Sequence, residues 1–291
     1  MKMSNTNNEN RTLKKAKKAR VIPGFGLTMG VTVTMLSLIV LIPLASVFAY
    51  ALKLSPNEFF TLISKETVRN AFITSIGSSF IAALINVVFG LIIAWVLVKY
   101  EFPGKRIMDG MIELPFALPT AVAGIALTSL TSDSGLVGSF FARFGIKIAY
   151  TRIGITVAMI FVGIPFVVRS VQPVLEKMDN FYSEAAGVLG AKKSMIFWKV
   201  IFPELKPAIF AGTGLAFGRC LGEYGSIVFI AGNKPYYTEI TPLIIMSELQ
   251  EFDYSSATAI ALVMLAVSFF ILFLNNVIQQ RNARILRGGN A

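Results

Sequence analysis

Histidine is absent from this sequence, and cysteine occurs once, at position 220. Without imidazole there is no histidine general base and no histidine metal ligand. A Ser-His-Asp triad in its usual form goes with it. One thiol permits no internal disulfide and no thiolate metal cluster. No G-x-x-x-x-G-K-[ST] string occurs, so the chain has no loop of that kind to cradle ATP. The nearest glycine–lysine run, GVLGAKK, has the wrong spacing. Charge is scarce too: 15% of residues, where average soluble domains carry roughly 25%.

Hydrocarbon takes the place of charge. The chain is 55% hydrophobic, with a mean hydropathy of +0.68. Residues 21–52 contain no charged side chain, and neither do residues 70–98. A bilayer core needs about 20 apolar residues per helix. Six blocks meet that length: about 24–50, 71–98, 109–131, 152–172, 207–231 and 256–278. The fourth is the weakest, because only 153–168 lies between Arg152 and Arg169, whose long stems can reach opposite interfaces. The first follows a basic region and ends near AYA (49–51), as a signal peptide would. Its apolar run is far longer than a 7–15-residue signal core, so it is read as a retained helix.

The basic residues set the orientation. With the N-terminus inside, nineteen Lys and Arg fall on the cytoplasmic side and seven outside, leaving Arg219 within the fifth block. The net charge of +11 therefore reflects membrane topology and not nucleic-acid binding. The expected organisation is a disordered basic arm over 1–20, a six-helix membrane domain over 21–280 and a cytoplasmic tail over 281–291. Both termini are cytoplasmic, and the fold is all-α.

A polar-studded stretch, FYSEAAGVLGAKKSMIFWKVIFPEL (181–205), then lies on the cytoplasmic side between the fourth and fifth blocks. Read as helix, 178–189 puts Met178, Phe181, Ala185, Val188 and Leu189 on one face. Asp179 suits the N-cap and Gly190 the C′ position. A second short helix is expected to run to Phe202 and stop at Pro203. Glu184, Ala185, Ala186 and Gly187 offer small side chains that let a partner approach the backbone. An ordinary interfacial loop has the same composition, and the residues alone do not separate the two.

Within this stretch, EAAGVLGAKKSMIFWKVIFP resembles the EAA signature of bacterial ABC-importer permeases. The matching positions are Glu184, Ala185, Ala186, Gly190, Val200, Phe202 and Pro203. Val and Phe stand where Ile and Leu are usual. The resemblance implies that 174–206 is the loop that docks on a cytoplasmic ATPase. ELPFALPTAVAGIAL (113–127), GIPFVVRSVQPVLE (163–176) and GRCLGEYGSIVFIAGN (218–233) are similar to the sulfate/thiosulfate permeases, T-type subunit, over about 25–280. That family implies a type I importer fold and sulfate or thiosulfate as cargo. It also implies a related second permease subunit, two ATPase subunits and an extracytoplasmic binding protein. ATP would be used by the ATPase partner, with no cofactor or metal on this chain. Molybdate and tungstate permeases are near relatives, although GEYGSIVFIAGN favours sulfate.

Inside the membrane blocks, a few residues invite a role. Gly214, Gly218 and Gly222 are spaced by four, a face for close helix packing or for a path that bulk would block. Arg219 and Glu223 stand four apart and must face protein, a partner or water. They read as a structural ion pair or as part of an anion path. Pro115 and Pro119, with Glu113 near the cytoplasmic end, kink the third helix, either to line a path or only to curve it. Asn86 reads as an interhelical hydrogen bond. An ion-coupled secondary transporter would favour inverted repeats and midplane carboxylates; Glu223 alone fits. A membrane-embedded enzyme is disfavoured by the missing histidines and cysteines.

Overall fold

The computed structural model describes residues 25–178 and 181–288. All regular structure in them is helical. The chain divides into two compact units, Met1–Ala49 and Tyr50–Ala291. The described part of the first is residues 25–49 of helix α1, Phe25–Ala51, which is uncharged and interrupted by one π-turn at Ser37–Leu41. The basic arm expected over 1–20 lies outside the described residues.

The second unit begins with a short helix, α2 (Pro56–Ser64), closed by a capping box. Ser55 Oγ accepts from Glu58 N, and the Glu58 carboxylate accepts from Ser55 N at 2.8 Å. These bonds hold the Glu58 carboxyl below its ordinary value. Next comes α3 (Glu66–Lys99), the longest of the candidate spans. It packs on α8 (Arg152–Lys177) and α10 (Lys193–Leu221), and these three make the centre of the bundle. Small residues allow the approach, since packing rather than water drives helix association in a bilayer. A Cβ added at Gly90 of α3 would lie 2.8 Å from Val167 Cγ1 of α8. One at Gly212 of α10 would lie 2.9 Å from Val167 Cα. The last span, α13 (Tyr254–Gly288), lies on α10, where Asn275 Nδ2 donates to Phe210 O at 3.1 Å. It runs helical past residue 280, so no helix end marks the expected tail.

Among the described residues five helices are long and apolar enough to cross a membrane: α1, α3, α8, α10 and α13. The third block, 109–131, is not the continuous helix expected. It is divided into α4 (Lys105–Ile112), α5 (Leu114–Ala117) and α6 (Thr120–Thr131). The cause is the two prolines. Pro115 opens α5, where a missing N–H costs nothing. Leu118 is extended (φ −86°, ψ 137°), as a residue before proline must be, and Pro119 becomes the N-cap of α6. The prolines break the span instead of kinking it. A short α7 (Leu136–Ala142) follows at the outer end.

The fourth block, weakest by sequence, is the best buried of the five long spans. Its arginines do not hang free. Arg152 Nε donates to Tyr237 O at 2.7 Å and the guanidinium lies over the Tyr237 ring. The fifth block also departs from expectation. Its helix begins at Lys193 and ends at Leu221, followed by an irregular stretch and the single turn α11 (Ile227–Ile230). At the outer end, α12 (Thr241–Gln250) leads back into α13.

Candidate functional site

The loop between α8 and α10 is built around the helix α9, Phe181–Val188. Asp179, the expected N-cap, lies outside the described residues. At the other end Gly190 has φ +81°, the left-handed value glycine adopts without penalty. Gly190 N donates to Gly187 O and Ala191 N to Ala186 O, both at 3.0 Å. That pair of bonds is a Schellman cap, which satisfies carbonyls the helix end would otherwise leave open. The chain turns there and re-enters helix at Lys193.

Glu184 and Ala185 are exposed and Ala186 half-buried, so the three form one outward surface with Gly190. The apolar side of the turn is bare as well. Val188 is 89% and Leu189 88% exposed. Pro203 is not part of this surface. Nor does it end a helix: α10 runs through it. A π-turn at Phe197–Ile201 precedes it and takes up the register that a residue without N–H disrupts. Aromatic contacts brace the turn. Phe197 meets Trp95 of α3 edge-on at 5.5 Å, and Trp198 meets Phe202 at 4.9 Å.

Beside the loop is a charged cluster that sequence reasoning did not find. Arg169 of α8 donates to Asp109 Oδ1 at 2.7 Å, to Glu113 Oε1 at 2.8 Å and to Gln172 Oε1 at 2.7 Å. It ties the inner end of α8 to α4 and to Glu113, the residue at the α4–α5 break. The signal was present: two carboxylates four apart in a block otherwise apolar. A cleft of about 680 Å³ opens next to it, lined in part by Glu101, Arg106, Asp109 and Glu176.

The second place where candidate residues gather is the end of α10. Arg219 sits in its last turn, and Glu223 lies beyond the helix, not on it. The ion pair forms all the same, Nη1 to Oε2 at 2.6 Å. Glu223 is 2% exposed, and its other oxygen accepts from Ser226 N and Ser226 Oγ, each at 2.9 Å. That capture of Ser226 and the glycines at 222 and 225 explain the irregular stretch. Gly225 abuts Thr120 Oγ1, and a Cβ at Gly124 would sit 2.5 Å from Ser226 O. The two broken spans, third and fifth, therefore meet here. Irregular backbone at membrane depth persists only where protein covers it or it lines a watery cavity.

The three glycines of the expected face differ. Gly214 abuts the Asn275 amide and Gly218 faces Leu272, so both pack on α13. Gly222 packs on nothing outside its own chain turn. Pro115 is buried, and Pro119 caps α6 without lining a kinked helix. Asn86 forms no interhelical hydrogen bond. Its amide is fully buried against the Gly163 position, with neither oxygen nor nitrogen partnered among the described residues. Among those residues no group of His, Cys, Asp and Glu is placed to hold a metal ion. At the outer end, burial raises Glu239 and Glu248 above ordinary carboxylate values, while hydrogen bonds from Ser256 hold Asp253 below.

Known proteins resemble the whole of this arrangement. The chain is 48% identical over 269 residues to the sulfate transport system permease protein CysT of Escherichia coli (strain K12), covering 92% of this chain and 97% of that one. It is 44% identical to the protein of the same name from Synechocystis sp., covering 87% and 89%. A crystal structure of a bacterial ABC transporter involved in the import of the acidic polysaccharide alginate matches with a TM-score of 0.74. The identity there is 16%, and the match covers 89% of this chain and 96% of that one. Residues 86–284 match the family described as binding-protein-dependent transport system inner membrane component. The chain thus belongs to that family, as a multi-pass permease of the ABC importers in the plasma membrane.

Proposed function

We propose that this chain is the membrane-spanning permease subunit of an ATP-driven importer that carries sulfate into the cytoplasm. The observation that carries the reading is the 48% and 44% identity to sulfate transport permeases over nearly the full length of the chain. The chain supplies the route and not the ATP hydrolysis. A separate pair of ATPase subunits would seat the α9 turn in a surface groove. The exposed Val188 and Leu189 and the small residues Ala185, Ala186 and Gly187 suit such a seat. A second, related permease subunit would complete the path, and an extracytoplasmic binding protein would deliver the anion. Closure of the ATPases would then move α9 and alternate which end of the path is open. The chain itself would need no cofactor.

Complementation tests the reading. A bacterial strain lacking its own T-type sulfate permease subunit, given this chain, should grow on sulfate as its sulfur source and take up radiolabelled sulfate. Growth restored on thiosulfate alone would narrow the cargo. Uptake of molybdate in place of sulfate would move the chain to the neighbouring group of oxyanion permeases.

A further inference from the structure

Arg219 has one edge committed and one edge open. Cys220, its neighbour in the chain, donates through Sγ to Met159 O at 3.1 Å. Met159 lies seven residues in from Arg152, the outer end of α8, or about 10 Å along the helix. The guanidinium is therefore in the outer half of the bundle, within the membrane. Its committed edge meets Glu223 at 2.6 Å. The other oxygen of Glu223 is held by Ser226, whose backbone lies close against Gly124.

The open edge is different. The Arg219 side chain is 34% exposed, on the same face as the exposed Leu215 one turn earlier. Gly222, one turn later, has φ −89°, which any residue adopts. A Cβ there would meet only Gly218 O, at 3.9 Å. Neither the backbone nor the packing of this chain requires glycine at 222. A charge turned toward hydrocarbon costs about 2.5–3.5 kcal/mol on insertion scales. The face accordingly looks onto water or polar protein.

We propose that the open edge of Arg219, with the bare backbone at Gly222 beside it, is a transit contact for a tetrahedral oxyanion dianion in the outer half of the membrane. This rests on the sulfate reading. The planar guanidinium offers paired N–H groups matched to oxyanion edges. Glu223 cancels its charge, so the hold on the anion is weak. A conduit needs that balance: attraction enough to admit, too little to retain. Gly222 leaves the space that the anion occupies next to the fork.

The test uses the complete importer, with its ATPase and binding protein, in proteoliposomes. Gly222→Leu fills the space, and its Cβ would touch this chain only at Gly218 O, at the ordinary contact distance of 3.9 Å. It should leave complex yield near wild type and lower sulfate uptake about tenfold or more, as a misplaced contact does. The double variant Arg219→Gln, Glu223→Gln leaves no charge unpaired. It should assemble normally and also transport about tenfold less, the loss of one charge-assisted hydrogen bond. Normal uptake in either variant at normal yield overturns the proposal. So does loss of complex yield in Gly222→Leu, which would make this face a subunit contact. A wild-type complex that moves molybdate and no sulfate corrects the substrate, and the variants are then read on molybdate. A wild-type complex that moves no tetrahedral oxyanion overturns both readings.

Discussion

Gly190 and Asn86 show how differently single residues read. Gly190→Val places a β-branched residue at φ +81°, a strain on the order of 1–3 kcal/mol. The Schellman cap should open, and the α9 turn should lose its set. Uptake is expected to fall while the protein stays in the membrane, as immunoblotting and a transport assay would report; full uptake would show that the turn's shape does not matter. The left-handed glycine was legible because a small helix followed by glycine and lysines leaves few other endings. Asn86 was misread. An amide in an apolar helix suggests a partner, yet none faces it among the described residues. An unmet buried amide costs about 1–3 kcal/mol. Asn86→Leu, of similar branched shape, should melt at or above the wild-type temperature in detergent, and a clear drop would show that the amide is needed there. Sequence could not show this, because what matters is which residues of α8 and α10 lie opposite.

Among the elements, continuous apolar helices were legible and breaks were not. α1, α3 and α13 follow from uncharged runs alone. The third span fails to follow because hydropathy counts side chains and ignores the backbone. Pro115 and Pro119 add no charge to interrupt the run while removing two N–H groups. The fifth span was displaced for the opposite reason. Pro203 promised a stop, and the π-turn before it let the helix pass. The meeting of α8 and α10 at Val167 was invisible, since glycine at 212 has no signal until its neighbour is known. Gly212→Leu would drive a side chain into the α8 backbone, where Val167 Cα and Phe166 O lie 2.9 and 3.1 Å from the added Cβ. Overpacking of that kind costs about 1–3 kcal/mol. Protein level should fall with uptake, and the same substitution at Gly187, which nothing crowds, should leave the level unchanged.

For the molecule as a whole, the uneven placement of Lys and Arg gives a direct check on topology. Cys220 is fully buried, so single cysteines added elsewhere can be read without removing it. Reagents confined to the outside should label positions near 60, 140 and 240 and spare 103 and 190; labelling at 190 would invert the arrangement. The two candidate regions look remote on such a map, one at each end of the bundle. Yet α10 joins them. A single helix of 29 residues, Lys193 to Leu221, reaches about 43 Å at 1.5 Å per residue. Its inner end begins just after the Gly190 turn and its outer end carries Arg219. A helix is stiff along its axis, and here the compliant points are the π-turn at Phe197–Ile201 and the interior proline, Pro207. A shove on the turn is thus delivered as through a pushrod, with both flexures on the handle side of Arg219. The guanidinium rides at the tip of the rod together with Glu223, whose N–H donates to Cys220 O at 3.1 Å.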